Sequence, residues 1–265
     1  MKHILTIQDL SCVGRCSLTV ALPVLSAMGL RCSVLPTAVL STHTAFPGPR
    51  VQSLTDQLLP FAKHWKSLGI SFDAISVGYL SDPAQADAVG GLLRLLDAPL
   101  VILDPVLGDN GKLYSRMTQA HLEAVRRLCA QADVLLPNLT EAAFLTGNPY
   151  EEQPENPGKL LESLQTLTPR VAVTGLTAGE NSIGVCGAEP GKPPFFRYTQ
   201  RIPRQFHGTG DLFAAVLSGS LLRGLSLEEA AARAMEFVRC CVAETERESP
   251  HGVEFERQLF RLCED

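Results

Sequence analysis

Short apolar runs rich in β-branched residues alternate with longer helix-period stretches along most of the chain, and this alternation fixes the class of fold. "HILTIQ" (3–8) reads as a buried strand and "SLTVALPVLSAMG" (17–29) as a helix closed by Gly29. "CSVLPTAVL" (32–40) is the next strand, and 51–68 the next helix. The cycle repeats through strands at 73–79 and 98–105 around a helix at 83–96. A helix over 115–131, a strand at 133–138 and, after a further helical segment, a strand at 170–175 continue it. Strands that alternate with helices predict a mainly parallel sheet covered on both faces. Between 182 and 202, β-type runs broken by Gly and Pro predict antiparallel strands at one edge, and the remaining residues read as helical.

No composition shift, repeat or low-complexity linker divides the 265 residues, so a single domain over 1–265 is expected. With 45% hydrophobic and 19% charged residues, such a chain builds its core without disulfide or metal. The net charge of −5 comes with no acidic or basic block, which gives no footprint for nucleic acid or an anionic membrane. Eight cysteines include no C-x-x-C pair, and reduced thiols are the reading. The apolar stretch of "MKHILTIQDL" is too short for a signal peptide and no later run is long enough to span a bilayer, so a cytoplasmic location is expected.

In open α/β sheets, ligands bind at the carboxyl ends of the strands. Polar and acidic residues gather there: Gln8-Asp9, Gly78-Tyr79, Asp104-Pro105, Asn138 and Thr174-Gly175. Each is also an ordinary turn residue. A sharper feature is "HGTGDLFAAVLSGSLL" (207–222), in which Gly208 and Gly210 flank the start of an apolar helix that carries Asp211. Glycines let a ligand approach the main chain, and the free N–H groups of a helix start suit a phosphate. A carboxylate beside that anion makes sense if it faces a hydroxyl whose proton leaves during attack on phosphorus. Helix capping by Thr209 or Asp211 satisfies the same pattern.

Two further segments bear on the choice. "DPVLGDNGKLY" (104–114) places Asp104 and Asp109 in one strand-exit loop, and "PNLTEAAFLTG" (137–147) places Asn138 and Glu141 at a strand-to-helix turn. Mg²⁺ takes a few carboxylates together with waters and substrate phosphates. Asp109 and Glu141 supply such a set directly or through water, while a turn and a first-turn helix acid are the structural alternatives. The chain contains no G-x-x-x-x-G-K-[ST], no G-x-G-x-x-G after the first strand, no H-E-x-x-H and no G-x-S-x-G.

"GTGDLFAA", "DPVLGD", "PNLTEA" and "TIQDLSCVGRCS…TAVLSTHT", with "GYL" (78–80), resemble the vitamin B6 (pyridoxal) kinases of the ribokinase-like superfamily from the first strand to the helix after Asp211. The resemblance implies a three-layer α/β/α sandwich with a mostly parallel central sheet of eight to ten strands, and a homodimer. It implies ATP, Mg²⁺ and a monovalent cation (K⁺ or Na⁺), and phosphorylation of the 5′-hydroxymethyl group of pyridoxal, pyridoxine or pyridoxamine. By position it makes Asp211 the base and Gly208, Thr209 and Gly210 the anion hole. It assigns Asp104, Asn138, Thr174 and Tyr114 to the nucleotide, Asp109 and Glu141 to the metal, and His43, Thr44 and Tyr79 to the pyridine ring. The chain departs from the family at Asp9, where Ser is common, and at Leu136, where Thr is common. Asp9 stands where the ring should lie, so either it offers an exposed carboxylate to a substrate amine or it braces its loop. A hydroxymethylpyrimidine kinase and a catalytically silent B6-binding protein are the alternatives.

Overall fold

The computed structural model describes residues 1–263. In chain order its elements are β1 (His3–Ser11), α1 (Leu18–Ala27), β2 (Arg31–Leu40), β3 (Val51–Ser53), α2 (Thr55–Ser67), β4 (Ala74–Val77), α3 (Pro83–Leu96) and β5 (Val101–Leu103). There follow β6 (Gly108–Asp109), β7 (Lys112–Leu113), α4 (Gln119–Cys129), β8 (Val134–Leu135), α5 (Leu139–Thr146), α6 (Pro157–Gln165) and β9 (Arg170–Leu176). The chain ends through β10 (Ser182–Ala188), β11 (Phe195–Gln200), α7 (Thr209–Leu222), α8 (Leu227–Glu244) and α9 (Phe260–Cys263).

One sheet runs in the order β11-β10-β9-β8-β5-β4-β1-β2-β3. Its centre, from β9 to β2, is parallel throughout. The added strands are antiparallel: β10 and β11 at one edge and β3 at the other. A parallel strand is buried on both faces, and β1 reads accordingly, with Ile4 to Asp9 all buried. Helices cover both sides. One apolar core holds Leu58, Val89, Leu122, Ala142 and Leu161 from α2 to α6; the other holds Val24, Leu217, Ala234 and Leu262 from α1, α7, α8 and α9.

Local signals set the boundaries. Asp82 accepts from the Gln85 N–H with Pro83 in the first turn of α3, and Ser226 and Glu229 form a capping box on α8. Three segments differ from expectation, the first being 245–255, which reads as helical in the sequence but lies between the end of α8 and the short helical turns that follow. The helix expected over 51–68 begins only at Thr55, because Val51–Ser53 pairs with β2 as an exposed edge strand too short to show periodicity. The loop at 104–114 contains a small hairpin, β6–β7, turning on Asn110 (φ 52°) and Gly111 (φ 73°). Two consecutive positive φ values are what a two-residue Asn-Gly hairpin turn requires. Among the parallel strands, chain order reverses between β1, whose next strand β2 lies on one side, and β4 on the other. In open α/β sheets such a reversal is where a ligand crevice forms at the carboxyl ends of the strands, which here carry Asp9 and Tyr79.

Candidate active site

The start of α7 shows why the two glycines are there, and they do different work. Gly208 is the N-cap with φ 86°, and a Cβ on it would lie 2.1 Å from the carbonyl oxygen of Arg15. Only glycine fits there. Gly210 has ordinary helical backbone and nothing within 4 Å of a would-be Cβ, so its missing side chain leaves open space above the helix. The backbone freedom expected at both positions is therefore needed at Gly208 alone. No side chain caps α7: Thr209 donates its hydroxyl to the Phe206 carbonyl at 3.3 Å, and Asp211 lies inside the first turn. The capping alternative for Thr209 and Asp211 falls, and the first N–H groups of α7 keep their partial positive charge for a ligand.

Asp211 is partly buried, and burial pushes its carboxyl up to about 6. The Ser17 main-chain N–H faces it and opposes the rise, while the negative charge of Asp9 adds to it. Asp104, at the exit of β5, is raised well above the usual carboxylate range by burial and by the charges of Glu141 and Asp211. Among the described residues no Lys or Arg forms an ion pair with Asp9, Asp104, Glu141 or Asp211.

Asn138 and Glu141 act as a unit. The Asn138 side chain accepts from the Glu141 N–H and the Glu141 side chain accepts from the Asn138 N–H, both at 2.9 Å, as a capping box on α5. The same two side chains reach across to the 104–114 loop. Glu141 accepts from the Leu107 N–H at 2.8 Å, and Asn138 donates to the Gly108 carbonyl at 2.8 Å. Thr140 takes the Gly111 N–H at 2.9 Å. Val106, at φ 41°, is held in a conformation that a β-branched residue resists. Glu141 is 3% exposed with both oxygens engaged, and burial raises it to about 7 against those N–H contacts. Asp109 is exposed at the hairpin and holds the N–H and side-chain amide of Asn110.

Tyr114, 45% exposed, overlooks these acids, and its phenol is raised by burial and then by Glu141, Asp109, Asp104 and Asp211. Thr174, in the last half of β9, is bridged to Asn138 and donates its N–H to the Pro137 carbonyl. Beyond it, Thr177 Oγ1 is buried without a hydrogen-bond partner among the described residues.

On the crevice side, Tyr79 is raised by burial and by the charge of Asp9. The exposed carboxylate considered for Asp9 is instead enclosed: the residue is 4% exposed, with one oxygen accepting from Ser11 Oγ and the other from Ser17 Oγ. Those hydroxyls satisfy a buried acid in the absence of a cation. His43 is 3% exposed, and its ring nitrogens are both used, Nδ1 accepting from the Ala45 N–H and Nε2 donating to the Pro250 carbonyl. It has only its ring face and edge to offer a ligand, and it packs against Phe46 and His207. Thr44 is exposed beside it. Leu136, where the resemblance expects Thr, is buried at 4% in the core. Sequence reasoning missed Ser11, Ser17 and Thr177; the serines sit within eight residues of Asp9, but only the folded loop turns them toward it.

A parallel sheet between two helical layers, with a glycine-hinged helix start aimed at its carboxyl end, is the fold of the ribokinase-like kinases. The model of the family described as phosphomethylpyrimidine kinase matches residues 25–253, and the chain belongs to that family. A pyridoxine/pyridoxal/pyridoxamine kinase of Bordetella avium is 30% identical over 86% of this chain and 80% of its own length. The solved pyridoxal kinase of Lactobacillus plantarum is 36% identical, with TM-score 0.93 over 99% of this chain and 96% of that one. A candidate phosphomethylpyrimidine kinase of Bacteroides thetaiotaomicron, in a crystal form with pyridoxal, is also 36% identical, with TM-score 0.93 over 98% of this chain and 95% of that one.

Proposed function

We propose that the chain transfers the γ-phosphoryl group of ATP to the 5′-hydroxymethyl group of pyridoxal, pyridoxine or pyridoxamine. The observation that carries the reading is Asp211, a carboxylate raised by burial at the uncapped start of α7, beside the open space over Gly210. Phosphoryl transfer needs positioning and charge stabilisation more than covalent chemistry. Asp211 accepts the hydroxyl proton as the O–P bond forms. The N–H groups of the Gly208, Thr209 and Gly210 turn, uncapped by any side chain, stabilise the charge that develops on the transferred group. Loss of one such donor typically lowers the rate about a hundred- to a thousandfold.

Among the described residues no three acidic, His or Cys side chains come together to hold a metal ion by themselves, so Mg²⁺ would rest on two hard carboxylates completed by waters and substrate phosphates, as this ion does with nucleotides. Asp109 and Glu141 would hold it, Glu141 through water because its oxygens already accept main-chain N–H groups. When bound, the metal neutralises phosphate charge. Asp104, Asn138, Thr174 and Tyr114 serve the nucleotide, with Asn138 setting the loop that carries the acids. Thr44, Tyr79 and the ring of His43 line the vitamer side. The resemblance to the vitamin B6 kinases extends the reading to a monovalent cation, a homodimer and a cytoplasmic setting. The eight cysteines are unpaired, and no helix among the described residues is long and apolar enough to cross a membrane.

The family description favours one second reading, a hydroxymethylpyrimidine substrate. ATP-coupled phosphate formation on the three vitamers and on hydroxymethylpyrimidine decides between them. Turnover of at least one vitamer with kcat/KM above that of the pyrimidine is expected. Turnover of the pyrimidine alone would transfer the assignment, and none on any would leave a binding protein.

A further inference from the structure

Ser17 joins two carboxylates that the reaction treats differently. Its hydroxyl donates to Asp9 on β1, and its main-chain N–H faces Asp211 on α7. It opens α1, where its carbonyl accepts from Val20 and Ala21, yet its own side chain makes no helix cap. Its backbone stands at φ 50°, ψ −126°, a region that glycine occupies readily and a side-chain-bearing residue does not. The loop that carries it is pressed onto the catalytic helix, the Arg15 carbonyl lying where a Cβ on Gly208 would be, at 2.1 Å. The Arg15 N–H is tied to the His251 carbonyl at 2.6 Å, so the loop is fixed from the far side as well. Strain of this kind persists only where its surroundings over-determine it, and it collects at functional sites.

Building on the reading of Asp211 as the base, we infer that Asp9 and Ser17 are positioning residues: Asp9 grips the Ser17 hydroxyl and thereby aims the Ser17 N–H at the base. Asp9 then has no part in recognising the substrate's amine. Its second oxygen accepts from Ser11 at 3.0 Å and the residue is buried, so both oxygens are already engaged within the loop. Burial raises the Asp9 carboxyl and the Ser17 and Ser11 hydroxyls oppose that rise; where Asp9 is ionised, its negative charge behind the base also makes Asp211 a stronger proton acceptor. The other titratable groups that face Asp211 are Cys16 on the same loop, Asp104 beyond β5 and Tyr114 beyond β7. The thiol of Cys16 is pushed up to about 12 and stays neutral.

The test compares S17A, S17G and D9N with wild type in steady-state phosphorylation of pyridoxal and pyridoxamine from pH 5 to 8, with thermal melts alongside. S17A and S17G both lose the hydroxyl, but only glycine accepts φ 50° without strain. If the role is to aim an N–H group, S17A loses turnover by about ten- to a hundredfold, the scale of a misplacement near 1 Å. S17G then retains at least ten times the kcat of S17A, and neither variant changes KM for ATP more than about twofold. D9N keeps an acceptor for Ser17 and removes the charge, so the acidic limb of its kcat/KM profile moves to lower pH. The pyridoxal-to-pyridoxamine ratio stays as in wild type. Equal kcat in S17A and S17G overturns the positioning role, as does a D9N change confined to KM for pyridoxamine, which would return Asp9 to the substrate. Should S17A fail to fold, D9N still decides, through the direction of its acidic limb. D211N separates the two layers of the argument. Normal turnover there removes the base and this inference together, whereas an inactive D211N with S17A and S17G alike removes only this inference.

Discussion

At the scale of one residue, Asp211 carries opposite demands from catalysis and stability. A base must be ionised, so kcat/KM should fall as pH drops through about 6, the value to which burial raises this carboxyl. Asp211→Asn should fold, bind ATP and lose about two to four decades of turnover, the range for loss of a general base. Near-normal turnover in a folded Asn variant would end the assignment. Stability runs the other way. The folded value lies above the ordinary 3.8, so Asp211's contribution is fully present below the unfolded value and is lost as pH rises through about 6. An amide does not ionise. Asp211→Asn should therefore be more stable than wild type at pH 8, by about 1–3 kcal/mol on the scale of 1.36 kcal/mol per unit. The gain should vanish near pH 4. Melts at pH 4, 6 and 8 check this, and a pH-independent difference would show that ionisation of Asp211 is not the source.

At the scale of elements, the two glycines of α7 and the loop held by α5 give contrasting expectations. Gly208→Ala forces a Cβ onto the Arg15 carbonyl at a positive φ and should unfold or severely destabilise the protein. Gly210→Ala meets open space in the first turn and should melt at or above wild type, since Ala is the better helix former by about 1 kcal/mol. Because the added methyl stands where the phosphoryl group would pass, its turnover should still fall at least tenfold. A fully active Gly210→Ala would mean that no ligand approaches there. For the loop, Asp109→Ala should keep the melting temperature and raise the Mg²⁺ needed for half-maximal rate. Glu141→Ala should lose both, since it orphans the N–H groups of Leu107 and Asn138 at about 1–3 kcal/mol each. An unchanged Mg²⁺ requirement in both would leave these acids as turn and capping residues. Much of this was legible in the sequence. The period of the apolar runs marked the central strands, and "GTGD" and "PNLTEA" marked the helix starts. What was not legible depends on contacts between distant segments. Nothing in "SCVGRCS" says that Ser17 reaches back to Asp9, and nothing near Gly208 says that Arg15, nearly two hundred residues earlier, fills the space beside it. Short edge pieces such as β3 and the β6–β7 hairpin escaped because two or three residues carry no period.

At the scale of the molecule, both cores lie against one sheet, so neither is complete without the strands that the other also covers. Loss of the α2–α6 layer would bare one face of β1, β4, β5 and β8 while leaving the other packed, a state that exposes most of the apolar surface of those strands. The proposed site draws on both layers. Asp211 comes from α7 in one and Glu141 from α5 in the other, and the strand ends between them supply Asp9 and Asp104. A ligand held there binds only when both layers are in place. Unfolding of the chain should therefore appear in calorimetry as one cooperative transition, in line with a single domain over 1–265. A non-hydrolysable ATP analogue with Mg²⁺, at a hundred times its Kd, should stabilise the native state by about 2.7 kcal/mol. For a chain of this size that moves the whole transition up by about 5–10 °C, at roughly 2–4 °C per kcal/mol. Two separate transitions would contradict the single unit. A shift confined to part of the transition would place the nucleotide on one layer alone and detach Asp211 from the phosphates it is proposed to serve.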